Sequence, residues 1–120
     1  MGILGASVTV HILEDDPGVS DSLQTYMKGL GHEAVVYRDA ESFFGREPPA
    51  ASDTIIVDLF LPGIGGAKVI GWLMGLKNPP RVIAISGQAQ SVIDRQLSGV
   101  AGNFDILRKP LSPHTIAQMV

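Results

Sequence analysis

Apolar and polar positions along this chain fall into two alternating textures. Val8 to Leu13 is short, β-branched and apolar, and it ends abruptly in Glu14, Asp15, Asp16, Pro17 and Gly18, which predicts a strand followed by an acidic turn. From Val19 to Leu30 the apolar residues fall at Val19, Leu23, Tyr26, Met27 and Leu30, which is helical spacing, and Gly31 stops the helix. Glu33 to Tyr37 predicts a second, weaker strand, and Asp39 can cap a short helix through Phe43 and Phe44. Pro48 to Asp53 reads as a loop rich in Pro, Ala and Ser. Thr54 to Asp58 is the clearest buried strand, broken by one Pro and three Gly between Leu59 and Gly66. A helix is expected over Ala67 to Leu76, a strand over Arg81 to Ser86, a helix over Ser91 to Val100 and a strand over Phe104 to Leu107. Pro113 can open a terminal helix at its first turn.

Five strands thus alternate with five helices. Strands that are apolar nearly throughout belong in a parallel sheet covered on both faces, so an α/β, doubly wound fold is expected. A chain of 120 residues fits one domain, 1–120, which could be the N-terminal part of a longer protein. With 45% apolar and 18% charged residues it has the make-up of a folded domain. There is no cysteine, hence no disulfide framework and no thiolate metal site, which suits a reducing, cytoplasmic setting. The net charge is -3 and no basic run occurs, so nucleic-acid binding by this segment is not expected. No apolar run is long enough to cross a bilayer. Met1 to Ser7 lacks the basic and long apolar regions of a secretory signal, and Ala6 breaks the myristoylation pattern.

In an open parallel sheet ligands bind beyond the carboxyl ends of the strands, and here those ends carry chemistry. The first ends in Glu14, Asp15 and Asp16, the third in Asp58, the fourth in Ser86, and the fifth is followed by Lys109. Two carboxylates ~4 Å apart repel by about 4 kcal/mol at an effective dielectric near 20. A hard divalent cation such as Mg²⁺ (or Mn²⁺) would offset that, and Lys109 would neutralise a further charge. An Asp held between a cation and an ammonium is a plausible phosphoryl acceptor. Any one of these residues taken alone reads as an ordinary solvated loop or turn residue. Their convergence at four strand ends argues for a site.

These residues resemble the receiver domains of bacterial response regulators, the CheY-like superfamily. Ile56 to Gly66 (IVDLFLPGIGG) carries the family's buried strand, acceptor Asp, Pro four residues on and Gly eight residues on. Ile12 to Pro17, Val82 to Gly87 and Lys109-Pro110 match its acidic pocket, its hydroxyl position and its lysine–proline pair. The resemblance implies a flavodoxin-like strand order 2-1-3-4-5 and a phosphoacceptor switch, not a turnover enzyme. It implies that Asp58 is phosphorylated and that Asp15, Glu14 and the Phe60 carbonyl hold Mg²⁺. Ser86 and Lys109 would bind phosphoryl oxygens, and the Lys109-Pro110 peptide would be cis. It fixes no role for Asp16, just beyond the usual pair. Phe60 and Gln88, two residues past Asp58 and Ser86, would tune the phosphoryl lifetime. The implied partners are a sensor histidine kinase or phosphotransfer protein, a C-terminal output domain or downstream protein, and a second copy, since such domains often pair through the fourth helix, fifth strand and fifth helix.

Two positions depart from the family pattern. Glu14 stands where Asp is common, and Ile106 stands at the switch position where Tyr or Phe is usual. A phospho-aspartyl hydrolase would need a second Asp where Phe60 stands. A flavodoxin-like cofactor binder would need a phosphate loop where the acidic turn stands. A binding module that has lost phosphorylation would not need the full residue set.

Overall fold

The computed structural model describes residues 8–120, so Met1 to Ser7 and the expectations that fall on them lie outside the described residues. Ten elements alternate as the hydrophobic pattern predicts: β1 (Thr9–Leu13), α1 (Pro17–Gly29), β2 (Glu33–Tyr37), α2 (Ala40–Phe44), β3 (Thr54–Asp58), α3 (Gly66–Met74), β4 (Arg81–Ser86), α4 (Gln90–Gln96), β5 (Asp105–Arg108) and α5 (Pro113–Met119). The strands form one parallel sheet in the order β2-β1-β3-β4-β5.

Strand side chains alternate between faces, and both faces are covered. Val10, Ile12, Ile56, Ile83 and Ile85 pack with Leu23 and Met27 of α1 and Ile116 of α5. Leu13, Ile55, Val57, Val82 and Ala84 pack with Phe43 of α2, Val69, Ile70 and Leu73 of α3, and Ile93 of α4. Central β3 is buried along its whole length, which explains why it has no polar alternation until Asp58. Each fully buried aliphatic side chain contributes about 1.5–3 kcal/mol by leaving water.

Helix starts follow the predicted capping chemistry. The Asp39 carboxylate accepts from the Ser42 N–H at 2.7 Å, and the Ser112 hydroxyl accepts from the Thr115 N–H at 3.3 Å beside Pro113. Several element ends differ from the sequence expectation, among them α3, which spans Gly66–Met74 and stops short of Leu76. Helix α4 ends at Gln96 and does not reach Val100, because the chain turns there and Gly99 takes φ +83°. Strand β5 runs over 105–108, with Phe104 packing against the core just ahead of the ladder.

The carboxyl ends of the strands are pinned by backbone bonds beyond the strands themselves. Glu14 N–H donates to the Tyr37 carbonyl at 3.0 Å, Leu59 N–H to Ile85 at 2.9 Å and Lys109 N–H to Ser86 at 2.8 Å. The residues flanking the cleft are thereby held to the rigid sheet. The Lys109-Pro110 peptide is cis.

Candidate functional site

Three of the expected residues meet at the carboxyl end of the sheet. Carboxylate oxygens of Glu14, Asp15 and Asp58 all lie within 4.8 Å of one another. β1 delivers the first two and β3 the third, on neighbouring strands in register from Leu13 and Val57. The Glu14 side chain is fully buried and that of Asp58 is 5% exposed, while Asp15 faces solvent.

One ammonium serves this cluster. Lys109 Nζ lies 3.0 Å from Asp58 Oδ2, to which it donates a hydrogen bond, and 2.8 Å from Glu14 Oε1. The second contact is an ion pair in which the buried Glu14 Oε1 faces the ammonium. Glu14 Oε2 accepts from the Asp16 N–H at 3.2 Å, and Asp58 Oδ1 accepts from the Phe60 N–H at 2.9 Å. Burial, and then the neighbouring Asp58, push Glu14 up to about 7. Burial alone would lower Lys109, but its contacts with Glu14 and Asp58 outweigh that and hold it above the usual lysine range.

The set therefore carries more negative charge than its lysine offsets. Three carboxylates gathered around a single ammonium, an all-oxygen donor set, fit a hard divalent cation of the Mg²⁺ or Mn²⁺ type. Glu14, Asp15 and Asp58 are the residues that could hold it.

Ser86 is buried at the end of β4, and its Oγ accepts from the Gln88 N–H at 3.1 Å. Gln88 itself keeps a buried Oε1 without a partner. Phe60 is 66% exposed at the rim of the cleft. Ile106 is 41% exposed on β5, carrying neither the ring nor the hydroxyl that the resemblance would put at the switch position. Asp16 is not part of the cluster. It is the N-cap of α1, its Oδ1 accepting from the Gly18 N–H at 2.9 Å ahead of Pro17.

Other polar residues were not singled out from the sequence. His11, midway along β1, bonds to the Tyr37 hydroxyl at 2.9 Å and to Asp53 at 3.0 Å, tying β1 and β2 to the loop before β3. A lone His inside an otherwise apolar strand was the available signal. Arg38 and Arg46 line a cavity that also includes Asp15, and nothing in their spacing marks them out.

The response regulator receiver domain family model matches residues 10–120. The sensory transduction protein RegX3 of Mycobacterium tuberculosis is 31% identical over 104 residues, covering 87% of this chain and 45% of that protein. The chain spans about half the length of the curated relatives it matches. Among solved structures, the BeF3-activated receiver domain of DrrB from Thermotoga maritima superposes with TM-score 0.80 at 13% identity, covering 95% of this chain and 94% of that one. The receiver domain of the sensor histidine kinase PA1611 from Pseudomonas aeruginosa, with a magnesium ion coordinated in its active site cleft, superposes with TM-score 0.77 at 18% identity, covering 95% and 94%.

Proposed function

The chain belongs to the response regulator receiver domain family, and from that premise we propose that Asp58 is its phosphoryl acceptor and that Glu14 and Asp15 serve the cation that makes acceptance possible. The observation that carries this reading is the overlap of two demands on Asp58. It is buried among carboxylates, yet one of its oxygens faces Lys109 at 3.0 Å.

The step itself is simple. An Asp58 carboxylate oxygen attacks the phosphorus of the donor, the donor's bond to phosphorus breaks, and the electron pair leaves with the donor group. The Lys109 ammonium and the Ser86 hydroxyl receive oxygens of the transferred group. A divalent cation, when bound by Asp15, Glu14, Asp58 and the Phe60 carbonyl, supplies charge neutralisation for those oxygens. In the reverse sense, water attacks the same phosphorus, the bond to Asp58 breaks, and inorganic phosphate and the free carboxylate are restored. Phe60 hinders that water and Gln88, with its unsatisfied Oε1, partly orients it.

The domain works as a switch and not as a turnover enzyme. Its donor is the phosphohistidine of a sensor kinase or phosphotransfer protein, and its reader is a C-terminal output domain or a downstream protein at the surface of α4 and β5. A cytoplasmic setting fits this chemistry, and no helix among the described residues is long and apolar enough to cross a membrane. Transmission at that surface proceeds without an aromatic switch, because Ile106 occupies the position.

Intact-mass spectrometry after incubation with acetyl phosphate and Mg²⁺ tests the proposal. One added phosphoryl group is expected in the wild-type protein and none in Asp58→Asn. An unmodified wild-type protein, or a modified Asp58→Asn, overturns it.

A further inference from the structure

Resting on the acceptor reading above, we propose that Arg38 and Arg46 form an anion subsite that receives the acyl end of small acyl-phosphate donors. A cavity of about 450 Å³ opens beside the acid pocket, walled by Asp15, Arg38, Asp39, Ser42, Arg46 and Pro62. That is ample room for a small phosphodonor. Asp15 is common to this cavity and to the carboxylate cluster, so the two adjoin.

The charges in the cavity are not equivalent. Asp39 is engaged at the start of α2, its Oδ1 accepting from the Ser42 N–H at 2.7 Å. Asp15 belongs to the cation-holding cluster. Among the described residues neither Arg38 nor Arg46 makes an ion pair within 4.0 Å, so both guanidiniums are free for a ligand. Arg46 is kept over the Tyr37 ring, 5.8 Å from its centroid, which limits its wandering. Tyr37 is in turn fixed by His11 at 2.9 Å and by its carbonyl contact with Glu14 N–H at 3.0 Å. Guanidinium forks bind carboxylates and phosphates through paired hydrogen bonds.

During transfer from an acyl phosphate, the phosphorus–oxygen bond to the acyl group breaks as the Asp58–phosphorus bond forms. The electron pair stays on the acyl oxygen, which departs as a carboxylate. The guanidiniums meet that developing negative charge. A phosphoramidate donor, whose nitrogen leaves as ammonia after protonation, places no such charge there.

The test compares the two donors. Second-order rate constants for phosphorylation by acetyl phosphate and by phosphoramidate, both with Mg²⁺, are read by intact mass for wild type, Arg38→Gln/Arg46→Gln and Arg38→Lys/Arg46→Lys. The Gln pair is expected to react about 10-fold more slowly with acetyl phosphate, and within about 2-fold of wild type with phosphoramidate. The Lys pair, which keeps the charge, is expected to retain most of the preference. An equal fall with both donors means a general effect on the fold or the field and overturns the subsite, as does no fall with either. Wild-type protein that accepts phosphate from phosphoramidate but shows no advantage over the Gln pair with acetyl phosphate overturns the subsite while leaving Asp58 as acceptor. Wild-type protein modified by neither donor overturns both.

Discussion

Two ion pairs of the same length sit at opposite ends of this sheet. At the carboxyl end Lys109 Nζ lies 2.8 Å from Glu14, whose side chain is fully buried. At the amino end Arg81 lies 2.8 Å from Asp105, and both side chains are almost half exposed, at 47% and 45%. Distance does not separate them, but surroundings do. The exposed pair is screened by water and salt, and is worth about 0–1 kcal/mol. In the other, Lys109 stands beside Glu14 and Asp58, whose carboxylates are largely withdrawn from water, so each charge there matters to its neighbours. One end of the molecule therefore tolerates charge changes, while the other converts them into altered chemistry.

The largest expected effect comes from removing the half-buried Lys109 ammonium. Lys109→Met should slow phosphorylation by about 10²-fold, because a donor to the transferring oxygens is lost. Time courses with acetyl phosphate check this, and a rate within 2-fold of wild type would contradict it. Next is Glu14. Its folded pKa of about 7 lies above the ordinary 4.5, so the folded state binds this proton more tightly than the unfolded chain. That stability is fully present below pH 4.5 and is lost as pH rises through 7, by on the order of 3 kcal/mol in metal-free protein. Urea melts in chelator should show the decline in wild type and a flatter profile in Glu14→Gln, and added Mg²⁺ should restore wild-type stability at pH 8.

A smaller effect, on lifetime alone, is expected at the rim. Phe60→Asn should speed loss of the phosphoryl group several-fold by admitting water, with the forward rate little changed. An unchanged decay of the acyl phosphate would remove Phe60 from the account. Least of all, Arg81→Gln should shift stability by no more than about 1 kcal/mol and leave phosphorylation unaltered. A larger loss in denaturant melts would show that the two ends are more alike than their exposure implies.

The sequence disclosed most of the sheet because its strands have unambiguous textures. Thr54 to Val57 could only be a buried strand, and the Pro and Gly that follow Leu59 mark a loop, although Gly66 turns out to open α3. The acid pocket was legible for the same reason, since strand ends and turn residues fix where side chains emerge. What could not be read depends on contacts distant in the chain. The His11–Asp53 bond spans 42 positions and leaves no periodic trace. Arg38 and Arg46 come together with Asp15 only once α2 is seen to be five residues long. Asp16 shares its charge and neighbourhood with Asp15, and only backbone geometry separates a helix cap from a cluster member. Periodicity overruns α4 because Leu97 and Val100 continue an apolar spacing past the point where the chain has already turned.

Gly66, the first residue of α3, lies against the peptide of Asp58. A methyl group built there would collide with the Asp58 carbonyl oxygen and come within 2.8 Å of Leu59 Cα. Both obstacles are main chain, so neither can swing aside. Any side chain would have to lever the tip of β3 away from the lysine and its carboxylate neighbours, and misplacement by about 1 Å can cost a reacting centre about 10²-fold. The alignment of Asp58, the proposed nucleophile, is thus gauged by an empty volume the size of one carbon atom, on a helix to which no reactive group is assigned.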